Sequence, residues 1–175
     1  AFPVVLTSGN NQHGQLGRTT GGNPDPNPVA SYANDGSSVT PTPIAVSGGL
    51  NHTLLLLDDG TVQTTGSNSK DQLANSSVNT SSDVFVSATG LTNVVQVAAG
   101  NENSMFLLAD GTVKCIGNNS SGQLGVGSTS DVSSLTDVLF DHRHFIGDNV
   151  GIGTTNPSEK LEVYGNVKIN NELNV

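Results

Sequence analysis

Val46 to Leu73, reading VSGGLNHTLLLLDDGTVQTTGSNSKDQL, returns as Val97 to Leu124, VAAGNENSMFLLADGTVKCIGNNSSGQL, after a constant shift of 51 positions without a gap. Positions in register include Gly49 with Gly100, Asp59-Gly60-Thr61-Val62 with Asp110-Gly111-Thr112-Val113, Gly66 with Gly117, and Gln72-Leu73 with Gln123-Leu124. Self-similarity at a fixed period marks an array of like supersecondary units. In each unit an apolar run leads into Asp-Gly and then Thr-Val. That order predicts two strands joined by a two-residue hairpin, with Asp59-Gly60 and Asp110-Gly111 as structural turn residues at positive φ, and with Gly66 and Gly117 ending the second strand. A partial third copy, Ser8-Gly9-Asn10-Asn11-Gln12-His13-Gly14-Gln15-Leu16-Gly17, echoes Ile116 to Gly125 without its front half.

Composition agrees with an all-β chain. Of the 175 residues, 12% are charged and 34% hydrophobic, and Gly, Asn, Ser and Thr crowd the whole length, as short strands and tight turns require. No window shows apolar residues at helical spacing beside good helix formers, whereas Leu54 to Leu57 and Val94 to Val97 sit between turn signals. Fifteen acidic residues against six basic ones give a net charge of −9, which repels phosphate backbones and anionic lipid, so nucleic acid is not an expected partner. No apolar run approaches the ~20 residues that span a bilayer, so no membrane insertion is expected. The start at Ala1-Phe2-Pro3 is that of a processed product or a fragment. The single cysteine, Cys115, follows a strand-like start and reads as an inert packed thiol.

The repeat resembles that of the regulator of chromosome condensation family: Gly, then His-Ser or similar, an apolar strand, Asp-Gly-x-Val, and Gly-x-Asn-x-x-Gly-Gln-Leu-Gly. The likeness covers roughly Ser8 to Gly17 and Val46 to Gly127. It implies β-propeller blades, in a family whose propellers have seven. Two whole copies and half of another do not close such a ring, and an unclosed propeller leaves strand edges open to pairing. The resemblance therefore implies either a fragment or a ring built by several chains.

A second resemblance lies at the C-terminal end. Asn149-Val150-Gly151-Ile152-Gly153-Thr154-Thr155-Asn156-Pro157-Ser158-Glu159-Lys160-Leu161-Glu162-Val163-Tyr164-Gly165-Asn166-Val167 is similar to a stretch that recurs in phage tail fibres and tail spikes, often just before a trimerisation chaperone. No chaperone-like domain follows here, and the sequence stops at Val175. Leu161, Val163, Val167 and Ile169 alternate with polar residues and suit a three-fold axis. A lone stalk of that length holds too little core, so the expected state is a homotrimer. The organisation read from the sequence is a propeller-like repeat region over 1–135 (partial repeat 1–20, loop insertion 21–40, repeats 44–78 and 94–128) followed by an intertwined trimeric β stem over 136–175.

Phe140-Asp141-His142-Arg143-His144-Phe145 is the one constellation with metal chemistry. In an extended chain His142 and His144 point to one side, and three chains would offer six imidazoles to one first-row transition ion, iron or zinc, at the trimer axis; the fibre resemblance implies such His-x-His sites. The plain alternative is two solvated histidines. Asp58, Asp59 and Asp110 read as turn residues ahead of catalytic or calcium-binding carboxylates. His13 and His52 lie in the repeats, and His52 matches Asn103 in the next copy, which points to blade packing. No nucleophile motif, phosphate loop or Cys/His cluster is present, so no enzyme is expected. Asn-x-Ser/Thr matches such as those at Asn51, Asn75, Asn79 and Asn118 are chance-level in an Asn- and Ser-rich chain.

The Pro-rich Gly21 to Ser38 reads as an exposed loop. Loops on a rigid scaffold carry recognition, which makes Asn23, Asp25, Asn27 and Tyr32 the receptor-contact candidates. The function expected is a structural virion fibre protein of phage tail or head, extracellular, touching other virion proteins and a host cell-surface receptor. A non-viral adhesin or filament subunit shares the same physics, and a regulatory propeller is the reading that the family's eukaryotic members imply.

Overall fold

The computed structural model describes residues 4–19, 24–33, 41–139, 150–152 and 161–163. They form strands and turns with no helix, and the chain divides into two compact units, Ala1–Val138 and Leu139–Val175. In the first unit, β1 (Val4–Gly9) pairs with β2 (Asp25–Ala33). A four-stranded antiparallel sheet follows, ordered β3 (Pro43–Gly48), β4 (His52–Leu57), β5 (Val62–Ser67) and β6 (Ser81–Ser87). A second such sheet has the order β7 (Val94–Ala99), β8 (Asn103–Leu108), β9 (Val113–Gly117) and β10 (Val132–Asp137). These sheets are propeller-type blades; β1 and β2 occupy the third and fourth strand positions of an earlier one.

The apolar run decides the middle of the second blade. Leu54, Leu55, Leu56 and Leu57 are all buried, so both faces of β4 are covered, as a continuous apolar run between turns requires. Leu54, Leu56 and Val62 join Val94, Val97, Phe106 and Ile116 of the third blade in one core. Each such fully buried side chain contributes about 1.5–3 kcal/mol of transfer free energy. Strand alternation sends Phe106 back into this core and Met105 forward, toward Cys115, Leu124 and Val132.

The hairpins differ in type from the expected two-residue turn. The Leu57 N–H donates to Thr61 O at 2.9 Å and the Gly60 N–H to Leu57 O at 3.0 Å; Leu108, Thr112 and Gly111 repeat this at 2.8 and 3.0 Å. Only the glycine is left-handed, with φ of 78° at Gly60 and 88° at Gly111. This is a three-residue loop closing in a glycine bulge. The aspartate stays right-handed because its carboxylate already serves the turn. Asp59 Oδ1 accepts from the Thr61 N–H at 2.9 Å and Oγ1 at 2.6 Å, and Asp110 Oδ1 from the Thr112 N–H at 2.9 Å. Those bonds hold both carboxyls below their ordinary pKa. At the strand ends, a Cβ on Gly66 would stand 2.6 Å from His52 Cα, and one on Gly117 2.6 Å from Asn103 Cα, which leaves no room for a side chain.

The loop reading of 21–40 is corrected by β2. Prolines deny a strand interior, but β2 is an outermost strand, and Pro26, Asn27 and Pro28 all lie between the register pairs Gly9↔Asp25 and Thr7↔Val29, opposite Ser8 alone. In that bulge a missing N–H breaks no ladder bond. The repeats also run past 78 and 128, because β6 and β10 complete their blades, and the first unit ends at Val138 instead of 135. In the second unit, β11 (Val150–Ile152) and β12 (Leu161–Val163) pair in parallel, Val150 with Leu161 and Ile152 with Val163.

Candidate functional site

The loop between the third and fourth strands of each blade is built the same way three times. Asn11, Asn68 and Asn119 accept with Oδ1 from the N–H of Leu16, Leu73 and Leu124 at 3.0, 2.8 and 2.9 Å. Gln15, Gln72 and Gln123 accept with Oε1 from the N–H of His13, Lys70 and Ser121 at 3.0, 2.8 and 2.9 Å. The Asn amide groups donate onward to carbonyls, that of Asn119 to Ser128 and Ser130 at 2.8 and 3.1 Å, and that of Asn68 to Val78. Buried amides satisfied on both sides fix a loop that has little apolar content. The repeated Gln-Leu was visible in the sequence, but the role of the Asn five residues before the Leu was missed, although its recurrence at 11, 68 and 119 was the signal.

Hydroxyls tie blade to blade. Thr53 Oγ1 donates to Gln15 O at 2.8 Å, and Ser104 Oγ, in the same position one blade on, donates to Gln72 O at 2.7 Å. His52 Nε2 lies 3.0 Å from Ser104 Oγ. A histidine on a serine suggests a nucleophile and its base, but the chemistry is blocked. The Ser104 proton is committed to Gln72 O, which makes Ser104 the acceptor and places the imidazole proton on Nε2. Both residues are buried. Burial pushes His52 down to about 4, against a smaller opposing effect of the Asn103 backbone, so the ring is neutral at pH 7. Its Nδ1 has no hydrogen-bond partner among the described residues. The His52–Ser104 pair thus packs the seam, as the Asn at the matching position implied. Cys115 is buried too, with its thiol pushed up by burial and then by Asp137.

Of the receptor-contact candidates, Asp25 is corrected: it is buried, and its Oδ2 pairs with Arg18 Nη1 at 2.6 Å. The same guanidinium donates to Thr7 O at 3.0 Å and Oγ1 at 3.2 Å, so the carboxylate is drawn inward to neutralise a cation that clamps the first blade. Asn27 and Tyr32 lie on β2. Asn23, His142 and His144 lie outside the described residues; among those described, no group of three or more His, Cys, Asp or Glu is placed to hold a metal ion.

Concavities accompany the seams. One of about 380 Å³ between the second and third blades is lined by Asp71, Asn75, Lys114, Ser134 and Leu135 among others; Lys114 is engaged by Asp137 at 2.5 Å. Another of about 470 Å³, between β1 and the second blade, gathers Leu6, Val46, Leu50 and Thr53. Neither sets a nucleophile beside a base.

This architecture defines a class: antiparallel four-stranded blades of a β-propeller, their loops fixed by side-chain amides and one blade tied to the next by hydroxyls. The family described as Regulator of chromosome condensation (RCC1) repeat matches residues 44–72 and 94–123, and the chain carries repeats of that type. Among solved structures, yeast RCC1 (Prp20) with Kap60 bound is similar at a TM-score of 0.69 and 18% identity, over 78% of this chain and 33% of that one. Prp20p from Saccharomyces cerevisiae, described with its binding to Gsp1p and histones, gives 0.67 and 18% over 78% and 34%. Human WBSCR16 gives 0.61 and 22% over 83% and 36%. The chain spans about a third of the length of the structures it matches.

Proposed function

We propose that this chain is a non-enzymatic structural segment of a virion fibre, in which C-terminal strands from three copies wind into a stem and the propeller-type blades are presented to a host surface. One observation carries the reading: blades of a binding fold precede the segment 149–167, whose sequence is similar to fibre stems. The physics supports it. In the second unit two strands of three residues pair in one sheet, and a unit as short as Leu139–Val175 holds little core of its own. A net charge of −9 keeps such a projection soluble and away from nucleic acid. Other virion proteins at one end and a cell-surface receptor at the other are the partners that this role requires. His142 and His144, two imidazoles per chain, have the donor chemistry to hold an iron or zinc ion on the axis, where it would act as a structural cross-link.

Light scattering or sedimentation of the purified chain, with metal analysis of the same sample, tests the reading. A stable species of three times 17.9 kDa supports it, and one transition ion per three chains supports the histidine site. A monomer overturns it. The second reading, a regulatory binding propeller, is favoured by the structural likeness to yeast RCC1, and a monomer that captures an acceptor protein through its blades would be its mark.

A further inference from the structure

Asp71 and Ala74 hold a backbone conformation that the other copies give to glycine. Their φ angles are 61° and 51°, where Gly14 and Gly17 of the first copy have 80° and 67°, and Gly122 and Gly125 of the third 72° and 64°. The turn is the same in each, closed by the N–H of Gly17, Ala74 or Gly125 on the carbonyl of Gly14, Asp71 or Gly122. A side chain at such a φ is strained, and it crowds whatever covers the turn. At the seam of the first and second blades the cover is β6. A Cβ on Gly14 would stand 2.6 Å from Asp83 Cα, and one on Gly17 2.4 Å from the ring of Phe85. At the next seam β10 takes the place of β6, and the register pairs Thr64↔Val86 and Cys115↔Thr136 set Leu135 at the position of Phe85. Two added side chains below and a smaller one above leave the cavity of about 380 Å³, lined by Asp71, Ser133 and Ser134 and by the apolar Ala74, Ile116 and Leu135. The groove at the first seam has no apolar side chain in its lining.

Among the described residues nothing uses the polar groups placed there. The Asp71 carboxylate and the hydroxyls of Ser133 and Ser134 make no hydrogen bond with a described residue. Their neighbours are engaged, Asn75 with Ser87 O and the Ser77 N–H, and Lys114 with Asp137. We propose that this cavity binds a pyranose sugar. Adjacent hydroxyls of the ring donate to the two oxygens of Asp71 in charge-assisted bonds, the serine hydroxyls meet the remaining ring oxygens, and the C–H face lies on Ala74, Ile116 and Leu135. The volume falls in the range of small-molecule sites. An inorganic anion is repelled by Asp71, and a wholly apolar ligand would leave the carboxylate and both serines desolvated without partners. A neutral ring, polar at its edge and apolar on its face, satisfies both halves of the lining. The inference deepens the proposed function, on which it rests only in taking the sugar to belong to a host surface.

The probes are methyl glucoside, methyl galactoside, methyl mannoside and N-acetylglucosamine, each titrated into the isotope-labelled whole chain and followed by amide chemical shifts, with methylammonium chloride as the control. Saturable shifts centred on Asp71, Ala74, Gly90 and Ser133 to Leu135 are expected with at least one sugar, and none with methylammonium. Asp71→Gly installs the residue of the other two copies. It is expected to weaken that sugar by about tenfold, the loss of one charge-assisted bond, without lowering the unfolding midpoint, because the strained φ is relieved. Leu135→Phe combined with Asp71→Gly and Ala74→Gly rebuilds the closed first seam and is expected to abolish binding. Absence of saturable shifts with all of the sugars overturns the proposal, and so does binding that Asp71→Gly leaves unchanged. Methylammonium shifting the same amides also overturns it, since the site is then one for cations. The trimer measurement bears on the fibre alone: a trimer with an inert cavity sinks this inference and keeps the fibre, and a monomer that binds a sugar through Asp71 does the reverse.

Discussion

The second and third blades share a sequence pattern, and their burial differs wherever a neighbour differs. Leu54, Leu56 and Val62 are buried on the forward face of the second blade, while Met105, Leu107 and Val113 at the same positions of the third are only partly so. On the backward face the order reverses, with Val97 covered and Val46 open. A blade is therefore not a stability unit by itself. The repeat specifies its strands, and the adjoining blade decides what each apolar side chain is worth.

The sharpest way to break this comparison is at Phe106 and Met105, neighbours on β8 that face opposite ways. Phe106 is fully buried against the second blade, so Phe106→Ala is expected to cost about 3–5 kcal/mol in urea unfolding. Met105→Ala, on the half-covered forward side, should cost clearly less. Equal losses would mean that the forward face is as well packed as the seam, and the comparison would fall.

The seam also contains an ionisable group in one copy only: His52 in the second blade, Asn103 in the third. His52 titrates at about 4 in the folded chain against 6.5 as the ordinary value. Between those values the unfolded chain binds a proton that the folded chain refuses, so the stability is complete above pH 6.5 and falls as the pH drops toward 4. The full difference is about 3 kcal/mol. Unfolding midpoints at pH 7 and pH 4.5 should separate wild type from His52→Asn, the variant losing less on acidification. If both lose the same amount, carboxylates elsewhere carry the acid sensitivity and His52 does not.

Most of the inner blade was legible because its chemistry is local. Leu54 to Leu57, the Asp-Gly turns and Gly66 mark strands and their ends without reference to a neighbour. The outer strands were not legible. β6 reads SSDVFVS and β10 VSSLTD, and strands at the rim are covered on little of either face, so no alternation is written into them. β2 hid behind prolines that only an outermost, bulged strand tolerates. Asp25 looked exposed because acidic residues usually are, and its burial depends on Arg18, seven positions away, turning its guanidinium under the sheet. The turn residues Asp59, Gly60, Asp110 and Gly111 were found by pattern, but the hairpin type followed from the bond that each aspartate makes with the threonine two residues on, which a preference for Asp-Gly in two-residue turns does not reveal.

The smallest expected effect is the most direct on the comparison. Val97→Ala removes two methyl groups from a closed seam and should cost about 2 kcal/mol, whereas Val46→Ala removes the same atoms from an open position and should stay within about 0.5 kcal/mol. The ratio, read from denaturant midpoints at constant slope, isolates the neighbour's contribution because repeat position and strand type are held fixed.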